Sequence, residues 1–370
     1  MEQKKIQNKA IKVRIYPNRG QEEQLGKTFG CCRFLYNQML ADKISEYEAT
    51  KKMLRNTPAS YKGEYPWLKE VDALALANVQ RHLEKAYLNF FKQPGIGFPR
   101  FKSKHRSQRS YTTNLVNGNI RIEGGKLKLP KLSPIKMILH REIPADYQLK
   151  SVTVSQESTG KYYASLLFAY ESQVREAAEG SGKILGIDYA MSGMAVFSDG
   201  SRAEYPMFYK KAEKRLGREQ RRLSKCVKGS ANYRKQKQKV ALRHEKIRNQ
   251  RRDYQHKLSL QLARMYEVVC VEDLDMKEMS HELYLGKGVM DNGYGNFCTL
   301  LEYKLSERGK KLLKVNRYYP SSKTCSRCGK VKKEFALSER IYECVCGNSL
   351  DRDVNAAINI REEGRRQLSA

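Results

Sequence analysis

The chain has 370 residues, enough for two or three domains with their own cores, and its 71 Lys and Arg against 40 Asp and Glu leave a net charge of +31. Such an excess repels itself in a compact state and is best sustained by a polyanion, so nucleic acid is the predicted partner ahead of a ribosome-associated or merely basic surface. No run of 18 apolar residues is present to span a membrane, no apolar segment of signal-peptide type follows the N-terminus, and nine cysteines, four of them clustered, predict reduced thiols in a cytoplasmic protein.

In chain order, residues 9–17 alternate, with Ile11, Val13 and Ile15 on one face and Lys12 and Arg14 on the other, which predicts a strand. Residues 21–91 turn helical: Leu25, Phe29, Cys32, Leu35, Tyr36 and Met39 recur at three- and four-residue steps, and Leu74, Leu76, Val79, Leu83, Tyr87 and Phe90 mark a second helix over about 71–91. A basic loop at 99–113 carries Arg100, Lys102, Lys104, Arg106 and Arg109 with Tyr111, Thr112 and Thr113. Short strands follow, separated by Gly124-Gly125 and by Pro130, Pro134 and Pro144, and residues 151–155 and 162–170 predict a hairpin about Gly160. Together these predict a β-barrel-like module over 1–20 and 113–180 with a helical insertion at 21–112, ended by a polar linker at 176–183.

Beyond the linker, a buried strand at 184–187 hairpins with 193–197 through Ser192. Residues 205–257 hold 19 Lys or Arg against 4 acidic residues and read as two helices broken near Gly229-Ser230. A strand at 267–272, a Gly-rich loop at 285–295, a helix at about 296–309 and a strand at 311–318 complete the course of an RNase H-like α/β domain over 181–319 and 351–370. A cysteine-bearing insertion occupies 320–350, so the fold class is α+β and multidomain.

Two carboxylates each end an apolar strand, Asp188 after Leu185-Gly186-Ile187 and Glu272 after Val268-Val269-Cys270-Val271. A third stands where the last helix opens, in Asp351-Arg352-Asp353-Val354-Asn355-Ala356-Ala357. Any one of them could cap a turn. Converging, they are suited to hold two Mg²⁺ ions about 4 Å apart for phosphodiester hydrolysis, because hard divalent cations take oxygen ligands. The local pattern leaves Asp351 and Asp353 both open as the third group; Asp353 lies one turn before the small Ala356-Ala357 pair.

Cys325-x2-Cys328 and Cys344-x-Cys346 put four soft ligands within 22 residues, each pair followed by Gly329 or Gly347. This matches one structural tetrahedral Zn²⁺ better than disulfides or an iron–sulfur cluster, and a closed four-cysteine set leaves no position for catalysis. Cys31, Cys32, Cys226, Cys270 and Cys298 have no partner at ligand spacing.

The three carboxylates, the two cysteine pairs, the Asp351–Ile360 stretch and the run Ile11-Lys12-Val13-Arg14-Ile15-Tyr16-Pro17 together resemble the TnpB (OrfB) family over nearly the whole chain. The resemblance implies a transposon-encoded, RNA-guided DNA endonuclease with a RuvC-type catalytic domain, related to the type V CRISPR effectors. It implies a transposon-derived guide RNA, a double-stranded DNA target beside a short transposon-adjacent motif, and Asp353 as the third metal ligand. It also implies that the N-terminal module (a wedge) and its insertion (a recognition domain) hold the guide and read that motif. Asn78, Gln80 and Thr113 are suited to base edges, and Arg100 and Lys102 of the basic loop to RNA or a short duplex. The basic helical hairpin, through Arg218, Arg221, Arg222, Lys235 and Arg243, would line the channel for a guide–target heteroduplex. The competing readings are a nuclease-dead, RNA-guided repressor, against which the intact carboxylates argue, and a guide-independent transposase or resolvase, which would not need so large a basic N-terminal module.

Overall fold

The computed structural model describes residues 5–172, 182–191, 193–276, 278–279, 289, 291–333 and 339–369. Most of the predicted linker at 176–183, the turn residue Ser192 and half of the Gly-rich loop at 285–295 lie outside the described residues. The chain divides into two compact units, one of residues 4–172 and one comprising 173–370.

The first unit runs β1 (Lys5–Tyr16), α1 (Arg19–Thr50), the short α2 (Tyr61–Glu64), α3 (Ala73–Lys92), β2 (Arg109–Asn114), β3 (Arg121–Glu123), β4 (Lys126–Lys128), β5 (Ile135–Ile138), β6 (Gln148–Gln156) and β7 (Tyr162–Ser172). Its strands form one antiparallel sheet in the order β2-β6-β7-β1-β5-β4-β3, and no ladder joins β2 to β3 among the described residues. Period-two alternation decides which face of β1 is covered: Ile11, Val13 and Ile15 are buried beside Val152, Val154, Leu166 and Phe168, with Leu25, Leu35, Leu76 and Leu83 of the helices in the same core. Asn18 starts α1 with a capping box, its side chain accepting from the Gln21 N–H while the Gln21 side chain accepts from the Asn18 N–H. Gly124 and Gly125, both at positive φ, supply the two-residue turn between β3 and β4 that β-branched residues could not make.

The basic loop ends earlier than in the sequence reading. Residues 109–114, predicted as the end of a basic loop, form edge strand β2, paired residue for residue with β6 from Arg109↔Gln156 to Asn114↔Ser151. Tyr111 and Thr113 alternate inward there, and burying that tyrosine outweighs the polar composition of the run.

The second unit contains β8 (Ile184–Ala190), β9 (Met194–Phe197), α4 (Phe208–Ser224), α5 (Ala231–Met265), β10 (Val268–Glu272), α6 (Tyr294–Ser306), β11 (Lys311–Val315), β12 (Ile341–Glu343), β13 (Ser349–Asp351) and α7 (Arg352–Ser369). A four-stranded sheet runs β11-β10-β8-β9, parallel across β11, β10 and β8 and antiparallel to β9. Alternation sorts its residues between two layers. Leu185, Ile187, Val269 and Val271 pack with Phe297, Leu301 and Leu305 of α6 and Leu262 and Ala263 of α5, while Cys270 and Val315 pack with Ile360 of α7. β11 stops at Val315, before the predicted 318, because the Asn316 side chain takes the Tyr318 N–H in a turn.

Candidate functional site

Parallel pairing brings the two strand-ending carboxylates side by side. β10 and β8 are in register from Val268↔Ile184 to Val271↔Ile187, so the next step sets Glu272 level with Asp188 on neighbouring strands. Gly186 and Asp188 share a face by period two, as do Cys270 and Glu272, and this is the face that α7 covers.

Two glycines let α7 lie flat there. A Cβ on Gly186 would fall 2.0 Å from the Ala357 carbonyl oxygen and 2.8 Å from the Arg361 nitrogen, and a Cβ on Gly364 would fall 2.1 Å from the Cys270 Sγ. The helix therefore crosses this row backbone to backbone at Gly186 and against the Cys270 side chain, and Asp353, one turn ahead of Ala357, lies over the next row, Asp188 and Glu272. Ala356 and Ala357, both buried, have the size this approach needs.

The electrostatics follow from the crowding. Burial, then the charges of Glu272 and Asp353, hold the Asp188 carboxyl well above the ordinary carboxylate range. Burial also raises Glu272, against the pull of a hydrogen bond donated by the Ser321 hydroxyl to its Oε1. Arg352 Nε stands 3.2 Å from Asp353 Oδ1, and Arg202 lies 2.8 Å from Asp351 Oδ2 and 3.9 Å from Asp353 Oδ2. Asp188, with the charges of Glu272 and Asp353 near enough to raise it, forms with them an oxygen donor set suited to hard divalent cations. Asp351 is employed otherwise: its Oδ1 accepts the N–H groups of Asp353 (3.0 Å) and Val354 (3.1 Å), the work of an N-cap.

The four cysteines gather tightly. Among the described residues theirs is the only set of three or more His, Cys, Asp or Glu groups whose donor atoms all lie within 4.8 Å of one another. The Sγ atoms of Cys325 and Cys346 are 3.7 Å apart and those of Cys328 and Cys344 3.6 Å, close to the roughly 3.8 Å edge of a tetrahedron with 2.3 Å metal–sulfur bonds. Gly329 and Gly347, at φ 74° and 82°, turn the two knuckles, and their N–H groups donate to the carbonyls of Cys325 and Cys344. The donor set fits zinc.

Two residues that sequence reasoning missed fasten this knuckle to α7. Asn355 accepts from the Ser326 N–H and donates to the Thr324 carbonyl, and Asn359 donates to the carbonyls of Ser321 and Thr324. Both are buried, and the available signal was a pair of amides four residues apart on the helix face that also presents Ala356 and Ile360. Asp291 and Asn292 were also missed. The Asp291 carboxylate accepts the N–H groups of Tyr209 and Lys210 at the start of α4, and the Asn292 amide donates to the Tyr189 hydroxyl and the Met191 carbonyl, next to Asp188.

The predicted nucleic-acid contacts divide. Arg218, Arg221, Arg222 and Lys235 are exposed and Arg243 half-buried on the α4–α5 hairpin, which Gln236 staples by donating to the Glu219 carboxylate and carbonyl. Arg100 is exposed, whereas Lys102 is anchored, its ammonium 3.9 Å from the Tyr36 ring centre and its backbone bonded both ways to Asn37. Gln80 is half-exposed and donates to Glu84. Asn78 and Thr113 correct the expectation of base contact: both are buried, and Asn78 spends its N–H groups on the Leu74 and Thr112 carbonyls, tying α3 to β2.

Comparison with known proteins agrees along the chain. Residues 167–282 match the OrfB family model described as "Probable transposase", residues 294–360 a "Cas12f1-like, TNB domain" and residues 1–52 a "Helix-turn-helix domain", a stretch that here folds as β1 and the single long helix α1. A Streptomyces pristinaespiralis protein named "Putative RNA-guided DNA endonuclease" is 33% identical over 366 residues, 96% of this chain and 89% of that one. The "Putative RNA-guided DNA endonuclease InsQ" of Escherichia coli K12 is 33% identical over 97% and 93% of the two chains. The chain belongs to the TnpB (OrfB) family. Its fold also resembles the protein of a Cas12f1–sgRNA–target DNA complex, with a TM-score of 0.59 at 16% identity over 96% of this chain and 99% of that one. No helix among the described residues is long and apolar enough to cross a membrane.

Proposed function

We propose that this protein is an RNA-guided, divalent-metal-dependent endonuclease of a mobile element, which cleaves double-stranded DNA beside a short transposon-adjacent motif. The observation that carries the reading is the convergence of Asp188, Glu272 and Asp353 where β8, β10 and α7 meet, in a chain whose relatives bear RNA-guided endonuclease names. The second unit is then a RuvC-type, RNase H-like nuclease with an inserted zinc ribbon at 320–350, and the first a wedge module with a helical recognition insertion at 21–112.

In that mechanism Asp188, Glu272 and Asp353 would hold two Mg²⁺ ions, which would supply activation of the attacking water and stabilisation of the leaving 3′ oxygen. Ser321 orients Glu272 by its hydrogen bond, and Asp351 caps the helix that aims Asp353. Arg202 ties that cap to the segment after β9. Cys325, Cys328, Cys344 and Cys346 would hold one Zn²⁺, and Asn355 and Asn359 fasten their knuckle to the same helix. Arg218, Arg221, Arg222, Lys235 and Arg243 supply sequence-blind phosphate contacts, Arg100 and Lys102 add charge from the loop at 99–108, and Gln80 is the remaining candidate for reading a base.

Sequencing the RNA that copurifies with the protein, then cleaving a plasmid library with randomised flanks with and without it, tests the proposal. Cutting that follows the RNA sequence and one flanking motif is the expected result. Cutting that ignores the RNA assigns the protein to guide-independent strand transfer or resolution.

A further inference from the structure

Beside Arg100 and Lys102, the first unit carries an aromatic patch that none of the contacts above uses. From Lys85 to Arg106 the chain has five aromatic residues, six Lys or Arg and no acidic residue. The rings meet where α3 ends: Phe98 lies edge-on to Tyr87 (5.5 Å between centres) and to Phe90 (5.4 Å), and Phe91 stands 5.1 Å from Phe90 and 6.4 Å from Tyr87. A cluster of this kind normally closes a core, yet Phe91 is 67% exposed and Phe98 44%, and Phe101, three residues after Phe98, is 56% exposed. The anchoring of Lys102 to Tyr36 and Asn37 fixes the backbone that presents Arg100 and Phe101. Lys85, Lys92, Arg100, Lys104 and Arg106 are exposed along the same segment.

Exposed rings clustered in this way, with a further exposed ring three residues along the chain, mark a binding surface. Charge decides its occupant. A second copy of a +31 chain would bring like charge to a segment with no acidic residue, whereas a polynucleotide offers phosphates to the cations and base faces to the rings. A duplex keeps its base faces stacked inside, so unpaired bases are needed, and loops and bulges of RNA supply them. We infer that Phe91, Phe98 and Phe101 form a stacking platform for unpaired bases of the bound RNA, with Arg100, Lys104 and Arg106 on the flanking phosphates. The inference rests on the nucleic-acid reading of the chain and not on its catalytic site.

The test measures the affinity of the full chain for an unstructured RNA oligonucleotide, for single-stranded DNA of the same sequence and for the RNA duplex, together with photocrosslinking of a 5-iodouridine RNA and sizing by light scattering. Phe91→Ala, Phe98→Ala and Phe101→Ala should each weaken single-stranded RNA binding on the order of tenfold with an unchanged salt slope, leave duplex binding unaltered, and be rescued by tryptophan. Arg100→Gln should instead reduce the salt slope. Crosslinks should map to these three rings. Unchanged affinity in the alanine variants with crosslinks elsewhere overturns the inference, as does tighter binding of single-stranded DNA than of RNA, or a dimer that the alanine variants dissociate. Because no readout involves cleavage, loss of guided cutting would sink the nuclease reading while leaving this result standing.

Discussion

Gly186 of β8 lies directly under Ala357 of α7, so close that a methyl group on the glycine would sit 2.0 Å from the alanine carbonyl oxygen. No other residue lets the helix rest on the strand, and the third carboxylate reaches the other two only because it does. Gly186→Ala should therefore abolish cleavage and destabilise by roughly 1–3 kcal/mol or more, since backbone cannot yield as a side chain can. Gly364→Ala meets a sulfur atom instead, so the double variant with Cys270→Ala should recover part of the lost stability. Thermal melts of the four proteins check both; an unperturbed Gly186→Ala melt would contradict the docking.

The raised Asp188 gives a pH dependence of defined sign. The folded state binds this proton more tightly than the unfolded chain, so the group makes folding less favourable as pH rises from the ordinary carboxylate range through its higher folded value. In buffer without Mg²⁺, and with zinc retained, wild-type stability should fall over that interval relative to Asp188→Asn, and added Mg²⁺ should stabilise wild type more than the variant. Melts across pH with and without Mg²⁺ measure this. Asp188→Asn, Glu272→Ala and Asp353→Ala should each eliminate cleavage with binding retained, whereas Asp351→Ala loses a cap worth about 1 kcal/mol and keeps part of the activity.

Zinc should be present at about one atom per chain in protein purified without added metal, and Cys344→Ser should lower both zinc content and cleavage. Asn355→Ala separates the two. It leaves the sulfur ligands in place and breaks the bonds to Ser326 and Thr324, so zinc should persist while turnover falls. Elemental analysis beside a cleavage time course distinguishes these outcomes.

Neutralising Arg218, Arg221, Arg222, Lys235 and Arg243 together should weaken binding to every target sequence alike. If all five contact phosphates, the slope of log affinity against log salt should fall by about 3–5. Salt titrations on two unrelated targets measure it, and a loss confined to one target would assign these residues to base reading.

Thr113→Val should leave the accepted flanking motif unchanged, because the hydroxyl it removes is buried with no hydrogen-bond partner among the described residues, and stability should hold or rise. Gln80→Ala, on the half-exposed face of α3, should shift that motif. Library cleavage reads out both variants.

The sequence by itself determined the elements and the chemistry of their ends. Alternation and apolar periodicity mark β1, β8, β10, α1 and α3, because burying one face imposes a period of two or 3.6 wherever a segment covers a core. The cysteine spacing marked a set that could hold a metal because two short pairs, each closed by a glycine turn, constrain their own local geometry. What only the tertiary structure decided depends on contacts between residues far apart in the chain. Nothing local distinguishes Asp351 as the cap from Asp353 over the site until α7 is laid across Gly186 and Cys270. Nothing local buries Asn78 and Thr113, whose amide and hydroxyl look suited to a base edge until α3 packs on β2. Asn355, Asn359, Asp291 and Asn292 read as ordinary polar residues because the partners described above lie between 29 and 103 positions away. A polar side chain carries no mark of its distant partner, whereas an apolar one reveals its burial through its period.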